Sequence, residues 1–231
     1  MGFAPLWIRW MHGCLSSVSY SFNVNGVKRG YVSPSREIRQ GDPLSPCLFL
    51  FCAEELSNLL NNGIRNKQIT GVKIAKQGPS VSHLFFADDS LIFCKANGDE
   101  AGHIKEILEC YEKASGQQVN INKSAIFFSK NTGSRKKEEM LQKLGGIQQV
   151  SQEKYLGLPL VVGRSKNSVF RFIKENMMAR IQNWKGKLLS NAGKDVLLKS
   201  VALAVPSYAM SVFKLSKSLC KELSGIMARF W

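Results

Sequence analysis

A chain of 231 residues with 44% hydrophobic content is long enough to bury a proper core and too apolar for bulk disorder. Its net charge of +15 is unevenly spread: residues 1–130 hold 14 Lys and Arg against 11 Asp and Glu, and residues 131–231 hold 18 against 6. The C-terminal part is therefore a basic module, for which polyphosphate is the natural partner, since neutralising phosphates releases counterions. No run reaches the roughly 18 apolar residues of a membrane-spanning helix, so no membrane association is expected. The opening Met1 to Arg9 lacks the basic-then-apolar order of a secretory signal, and Leu6 stands where a myristoylation motif needs Ser or Thr. The six cysteines have no C-x-x-C spacing and sit in apolar segments, which reads as reduced, small core residues of an intracellular protein. His12, His83 and His103 are scattered without ligand spacing, which argues against zinc.

In chain order, residues 3–16 carry Phe3, Leu6, Trp7, Trp10, Met11 and Cys14 at helical spacing. Ser19 to Val24 and Val27 to Val32 flank Asn25-Gly26, a strong two-residue hairpin signal. After the loop Ser33 to Gly41, Asp42 is a candidate N-cap with Pro43 at the start of a helix that Asn62-Gly63 should end. A short strand near Thr70 to Ile74 leads to strands Leu84 to Phe86 and Leu91 to Cys94, with Ala87-Asp88-Asp89-Ser90 as the tight turn. A helix over 99–115 stops at Gly116, and Ser124 to Ser129 reads as a strand. Beyond residue 131 come a short charged helix from Arg135, an apolar extended stretch from Tyr155 to Val162, and three basic amphipathic helices. The first carries Phe170, Ile173, Met177, Ile181 and Trp184, and the second carries Leu198, Val201 and Val205 and ends before Pro206. The last carries Leu219, Leu223, Ile226 and Phe230 and ends without a capping signal, as if the chain were cut there.

Asp88-Asp89 is the most informative feature. Two adjacent carboxylates interrupt an apolar, aromatic run, and burying them without a partner would be costly. A divalent metal that also holds substrate phosphates would offset that cost. A plain turn gives the same local pattern. Upstream, Arg36 to Pro46 sets a basic, Gly-containing loop directly before a helix N-terminus, where backbone N–H groups favour phosphate.

Arg39-Gln40-Gly41-Asp42-Pro43-Leu44-Ser45-Pro46, followed by Phe86-Ala87-Asp88-Asp89, resembles the reverse transcriptase domain of plant non-LTR (LINE-type) retrotransposons. Gly116, Asn120-Ile121-Asn122-Lys123-Ser124 and Tyr155-Leu156-Gly157-Leu158-Pro159-Leu160 extend the likeness to nearly the whole chain. The resemblance implies an α+β, right-hand polymerase: a ferredoxin-like antiparallel palm over 1–130, a palm edge or connection over 131–164 and a helical thumb over 165–231. It implies an RNA-directed DNA polymerase using Mg²⁺, with an RNA template, a DNA primer and deoxynucleotides as partners. Asp88 matches the principal metal ligand and Asp89 its weaker neighbour. Lys123 matches a lysine proposed to protonate pyrophosphate, and its other reading is a solvated, strand-flanking side chain. Gln40 and Gly41 match the nucleotide-facing loop, with Arg39 a candidate phosphate contact. The family's other metal-bridging aspartate belongs on a strand ahead of the segment that Met1 to Phe3 resembles. The chain is therefore expected to be a fragment with little activity alone. The alternatives are a non-catalytic nucleic-acid-binding module using Arg171, Lys174, Arg180, Lys185 and Lys187, or a polymerase completed by a second polypeptide.

Overall fold

The computed structural model describes residues 2–34, 41–151, 154–163, 165–184 and 188–231. They fall into two compact units, Met1–Gln148 and Gln149–Trp231, and mix helices with short antiparallel ribbons.

The first unit opens with α1 (Pro5–Ser16), whose proline sits in the first turn, where its missing N–H costs nothing. Strands β1 (Tyr20–Val24) and β2 (Val27–Val32) pair antiparallel, with Val24 opposite Val27. Asn25 and Gly26 both take positive φ, 52° and 82°, which is the hairpin geometry their sequence predicts.

Helix α2 (Ser45–Arg65) departs from expectation at both ends. It starts two residues after Pro43, because Asp42 Oδ1 accepts the Leu44 N–H at 2.8 Å in a local turn and Ser45-Pro46 fill the first helical turn. Nor do Asn62-Gly63 end it. Gly63 is buried inside the helix, where a Cβ would lie 3.0 Å from Ile69 Cδ1 and 3.3 Å from Ile107 Cδ1. That glycine admits two isoleucines to the helix surface; it is not a stop signal.

Strands β3 (Val72–Lys73) and β4 (Ser80–Val81) form a short ribbon, followed by β5 (His83–Phe86) and β6 (Asp89–Ile92). Helix α3 (Gly98–Ser115) is capped by Asn97, whose side chain accepts the Glu100 N–H at 2.8 Å, and it ends at left-handed Gly116 as predicted. Leu56 and Leu60 of α2, Ile104 and Tyr111 of α3, and Ile69 between them make this unit's core. Burying each such side chain contributes about 1.5–3 kcal/mol. Phe85 and Ile92 pack on that core and so dock one face of the β5–β6 hairpin. Strand β7 (Ala125–Phe127), helix α4 (Ser134–Leu144) and strand β8 (Gln148–Val150) follow.

In the second unit, β9 (Lys154–Tyr155) and β10 (Leu158–Pro159) fold the expected extended stretch back on itself. The intervening Leu156 and Gly157 take φ of 52° and 75°, and Tyr208 Oη donates to the Leu156 carbonyl at 2.9 Å. Helices α5 (Lys166–Val169), α6 (Arg171–Gln182), α7 (Asn191–Leu197), α8 (Ala204–Val212) and α9 (Lys217–Phe230) complete it. The predicted stripes are core: Phe170, Ile173, Met177 and Ile181 meet Leu219, Leu223, Ile226 and Phe230.

The expected break before Pro206 does not occur. A wide π turn, Leu198–Ala202, absorbs the register between α7 and α8, with Leu203 N–H donating to Leu198 O. The helix restarts at Ala204, so Pro206 lies in a first turn, where no N–H is required. The run Asn191–Val212 has 22 residues and contains an 18-residue window of mean hydropathy 1.3, enough by length and composition to cross a membrane. It carries Lys194, Asp195 and Lys199 near its start and buries Ala202, Pro206 and Ala209 in its own unit.

All six cysteines are free thiols. Their placement is a correction: Cys14, Cys47 and Cys110 are exposed, and Cys52, Cys94 and Cys220 are only half-buried.

Candidate functional site

The carboxylate pair lies at the tip of the β5–β6 hairpin. His83 pairs with Ile92, Leu84 with Leu91, Phe85 with Ser90 and Phe86 with Asp89, leaving Ala87-Asp88 as a two-residue loop. Ala87 takes φ of 49°, the left-handed region that a Cβ disfavours by about 1–2 kcal/mol. Directly paired residues share a face. Asp89 therefore joins Leu84, Phe86 and Leu91 on the outer face, opposite the face that Phe85 and Ile92 seat on the core.

Both aspartates are exposed, which corrects the reading of them as buried charges in need of compensation. The alternation of the hairpin puts only every second residue of the apolar run inside, and the turn lifts the pair clear of it. Phe86 on the outer face is 61% exposed and Leu84 47%.

At its base the hairpin is tied down by polar contacts. Ser57 Oγ of α2 lies 2.9 Å from His83 Nε2, and Ser82 Oγ lies 2.8 Å from His83 Nδ1. Burial lowers the His83 pKa, and the charge of Glu54 opposes that with a smaller upward pull. Phe93 N–H donates to the Ser82 carbonyl at 2.7 Å, and beyond it stands buried Glu100. Glu100 Oε2 accepts the N–H groups of Thr70 at 2.9 Å and Lys95 at 3.0 Å, joining the chain on both sides of the hairpin to the first turn of α3. Burial, and then the Glu100 charge, push the Cys94 thiol up to about 11.

The sequence reading missed His83 and Glu100 as site supports. Glu100 could have been found, because Asn97-x-x-Glu100 has capping-box spacing. For His83 the sequence holds its place at the head of a strand beside Ser82, and its other partner, Ser57 of α2, is fixed by packing.

The other predicted residues are less concentrated. Gly41 is exposed with φ of 90°, while Arg39 and Gln40 lie outside the described residues. Lys123 is exposed and ends a one-turn 3-10 helix, Ile121–Lys123; its N–H donates to Asn120 Oδ1 at 3.2 Å. Among the described residues no ion pair links Lys123 to Asp88 or Asp89. In the second unit Arg171 pairs with Glu175 at 3.1 Å and Lys174 with Glu222 at 2.5 Å. The Lys174 hydrogen bond and charge hold the Glu222 carboxyl below its usual range. These four side chains line a shallow groove of about 610 Å³ with Asn167, Ser168, Met178 and Leu219. Arg180 is exposed and outside these ion pairs, and Lys185 and Lys187 lie outside the described residues.

Residues 2–160, which include Gly41 to Pro46 and the whole Asp88-Asp89 hairpin, match the family described as reverse transcriptase (RNA-dependent DNA polymerase). The chain belongs to the reverse transcriptase family. An uncharacterized mitochondrial protein of Arabidopsis thaliana is 45% identical over 69 residues, covering 30% of this chain and 57% of that protein. The uncharacterized 149 kDa protein of transposon TX1 of Xenopus laevis is 26% identical over 205 residues, 86% of this chain and 15% of that protein. This reverse transcriptase chain thus spans little more than half of the first relative and about a seventh of the second.

The donor chemistry at the hairpin fits the Mg²⁺ that the family implies, because two adjacent carboxylates offer hard oxygens. Mg²⁺ is commonly held by one or two carboxylates together with substrate phosphates. Among the described residues no group of three or more His, Cys, Asp or Glu gathers to form an all-protein cage.

Proposed function

We propose that the chain is the palm-and-thumb segment of a plant retrotransposon's RNA-directed DNA polymerase. In this reading 1–130 is palm, 131–164 palm edge or connection and 165–231 thumb. The observation that carries it is an exposed Asp88-Asp89 pair at the tip of a core-seated hairpin, in a chain of the reverse transcriptase family. Asp88 and Asp89 would hold Mg²⁺, which supplies charge stabilisation to the attacking and leaving oxygens of nucleotidyl transfer. Ala87 and the Phe86–Asp89 pair present both carboxylates to solvent, where a nucleotide triphosphate can reach them. Gly41 and the start of α2 would face the nucleotide, with Arg39 and Gln40 beside them. Lys123 would serve as proton donor to pyrophosphate. Exposed cations of the second unit, Arg180 foremost, would hold the RNA template and DNA primer. A further carboxylate of the metal site would come from a complementing polypeptide.

The test is primer extension on an RNA template with Mg²⁺. The chain is assayed alone and fused behind the preceding palm segment of a complete reverse transcriptase. The fusion should extend the primer, and Asp88→Ala should remove that activity by at least about a thousandfold, roughly 4 kcal/mol of barrier. Extension that survives Asp88→Ala would overturn the proposal, as would a folded fusion with no activity.

A further inference from the structure

We propose that His83 is a positioning residue for the Asp88-Asp89 turn: held between Ser57 of α2 and Ser82, its imidazole locks the base of the β5–β6 hairpin onto that helix. The inference rests on the reading of this turn as the metal- and nucleotide-facing element. A two-stranded ribbon has little stability of its own, so its anchorage decides where its tip points. Here Phe85 and Ile92 seat one face on the core, and the outer face, with Leu84 and Phe86, is exposed. Hydrophobic seating is non-directional and leaves the ribbon free to slide or rotate on it. The directional bond from the start of β5 to α2 is that of His83 Nε2 with Ser57 Oγ. Strand β5 runs only about 10 Å from His83 to Phe86, so a shift at the base is carried to the turn.

Asn61 Nδ2 donates to Ser57 Oγ at 3.5 Å, and each His83 ring nitrogen has one serine hydroxyl as its partner. In the neutral ring one nitrogen donates and the other accepts, and a serine hydroxyl can meet either one. Ser82 is itself buried. Also against the ring are the Phe85 ring at 4.8 Å between centroids and Ile92 across the ribbon, and among the described residues Glu54 on α2 is the charged group whose field reaches it. The desolvation of the ring outweighs the Glu54 pull, so the neutral form is favoured.

The experiment is amide hydrogen exchange across β5–β6 on the full chain, corrected for intrinsic pH dependence, with a parallel Mn²⁺ titration followed by electron paramagnetic resonance. Ser57→Ala and His83→Asn should each speed exchange of hairpin amides about fivefold or more near neutral pH, equivalent to about 1 kcal/mol, while α2 and α3 amides change little. The double variant should add little to either single one, and Ser57→Thr, which keeps the hydroxyl, should restore protection. Wild-type hairpin exchange should quicken as pH falls through about 6.5, and His83→Asn should abolish that pH dependence. Mn²⁺ affinity should fall in step with hairpin protection. Additive single effects, an unchanged hairpin in Ser57→Ala, or full Mn²⁺ affinity in a loosened hairpin would each overturn the proposal. A hairpin that responds as expected while wild type takes no Mn²⁺ removes the metal reading, and with it the positioning role, but leaves the lock itself standing.

Discussion

Glu100 is the residue whose loss the first unit should feel most. One buried carboxylate oxygen accepts from two backbone donors, those of Thr70 and Lys95. Glu100→Ala should cost about 2–4 kcal/mol, because each stranded N–H carries about 1–3 kcal/mol of desolvation, whereas Glu100→Gln keeps an acceptor and should cost less. Urea unfolding midpoints distinguish the two, and equal losses would show that the charge matters more than the hydrogen bonds. Burial, helped by the same carboxylate, raises the Cys94 thiol to about 11, so Cys94 should resist alkylation at neutral pH while exposed Cys14, Cys47 and Cys110 react. His83 gives the pH prediction, and its sign follows from the direction of its shift. Its folded-state pKa is depressed, so above about pH 6.5, the unfolded value, both states are neutral and its contribution to stability is fully present. As pH falls through that value the unfolded chain takes the proton first, and stability is lost. The fall in urea midpoint between about pH 8 and about pH 5.5 should be shallower in His83→Asn than in wild type.

Elements were legible where local chemistry decides them. Asn25-Gly26, Gly116 and the Met and aromatic stripes of α6 and α9 act through turn geometry and helical period, and each is where the sequence puts it. The hairpin carrying Asp88-Asp89 is also in place, but the exposure of the pair was not readable, since the apolar run does not reveal which face is covered. Gly63 and Pro206 were misread because their local meaning is overridden by packing. Two isoleucines need the bare Gly63 surface, and a π turn resets the helix so that Pro206 falls in a first turn. The Gly63 reading makes a prediction of its own. Gly63→Val places branched carbon against Ile69 and Ile107 and should destabilise by about 1–3 kcal/mol, although valine is the better helix former. A variant as stable as wild type in thermal unfolding would mean that the glycine is incidental.

At the scale of the molecule, a net charge of +15 favours phosphate partners, and in the proposed template and primer binding pairing decides which cations take part. Arg171 and Lys174 are held by Glu175 and Glu222, so phosphate must displace a carboxylate to engage either one. Arg180 lies outside these ion pairs. Each phosphate neutralised by a cation contributes about 0.9 to the slope of log affinity against log salt. Affinity of the full chain for an RNA–DNA hybrid, measured by fluorescence anisotropy across a salt series, should therefore lose about one unit of slope in Arg180→Gln. Arg171→Gln should change it far less, since that variant removes a cation and leaves Glu175 as an unopposed anion near the strand, acting through repulsion more than through counterion release. Glu222→Gln frees Lys174 and should steepen the slope and tighten binding at low salt. If Arg171→Gln and Arg180→Gln lower the slope equally, the helix-surface ion pairs are too weak to withhold their cations, and total charge alone governs the interface.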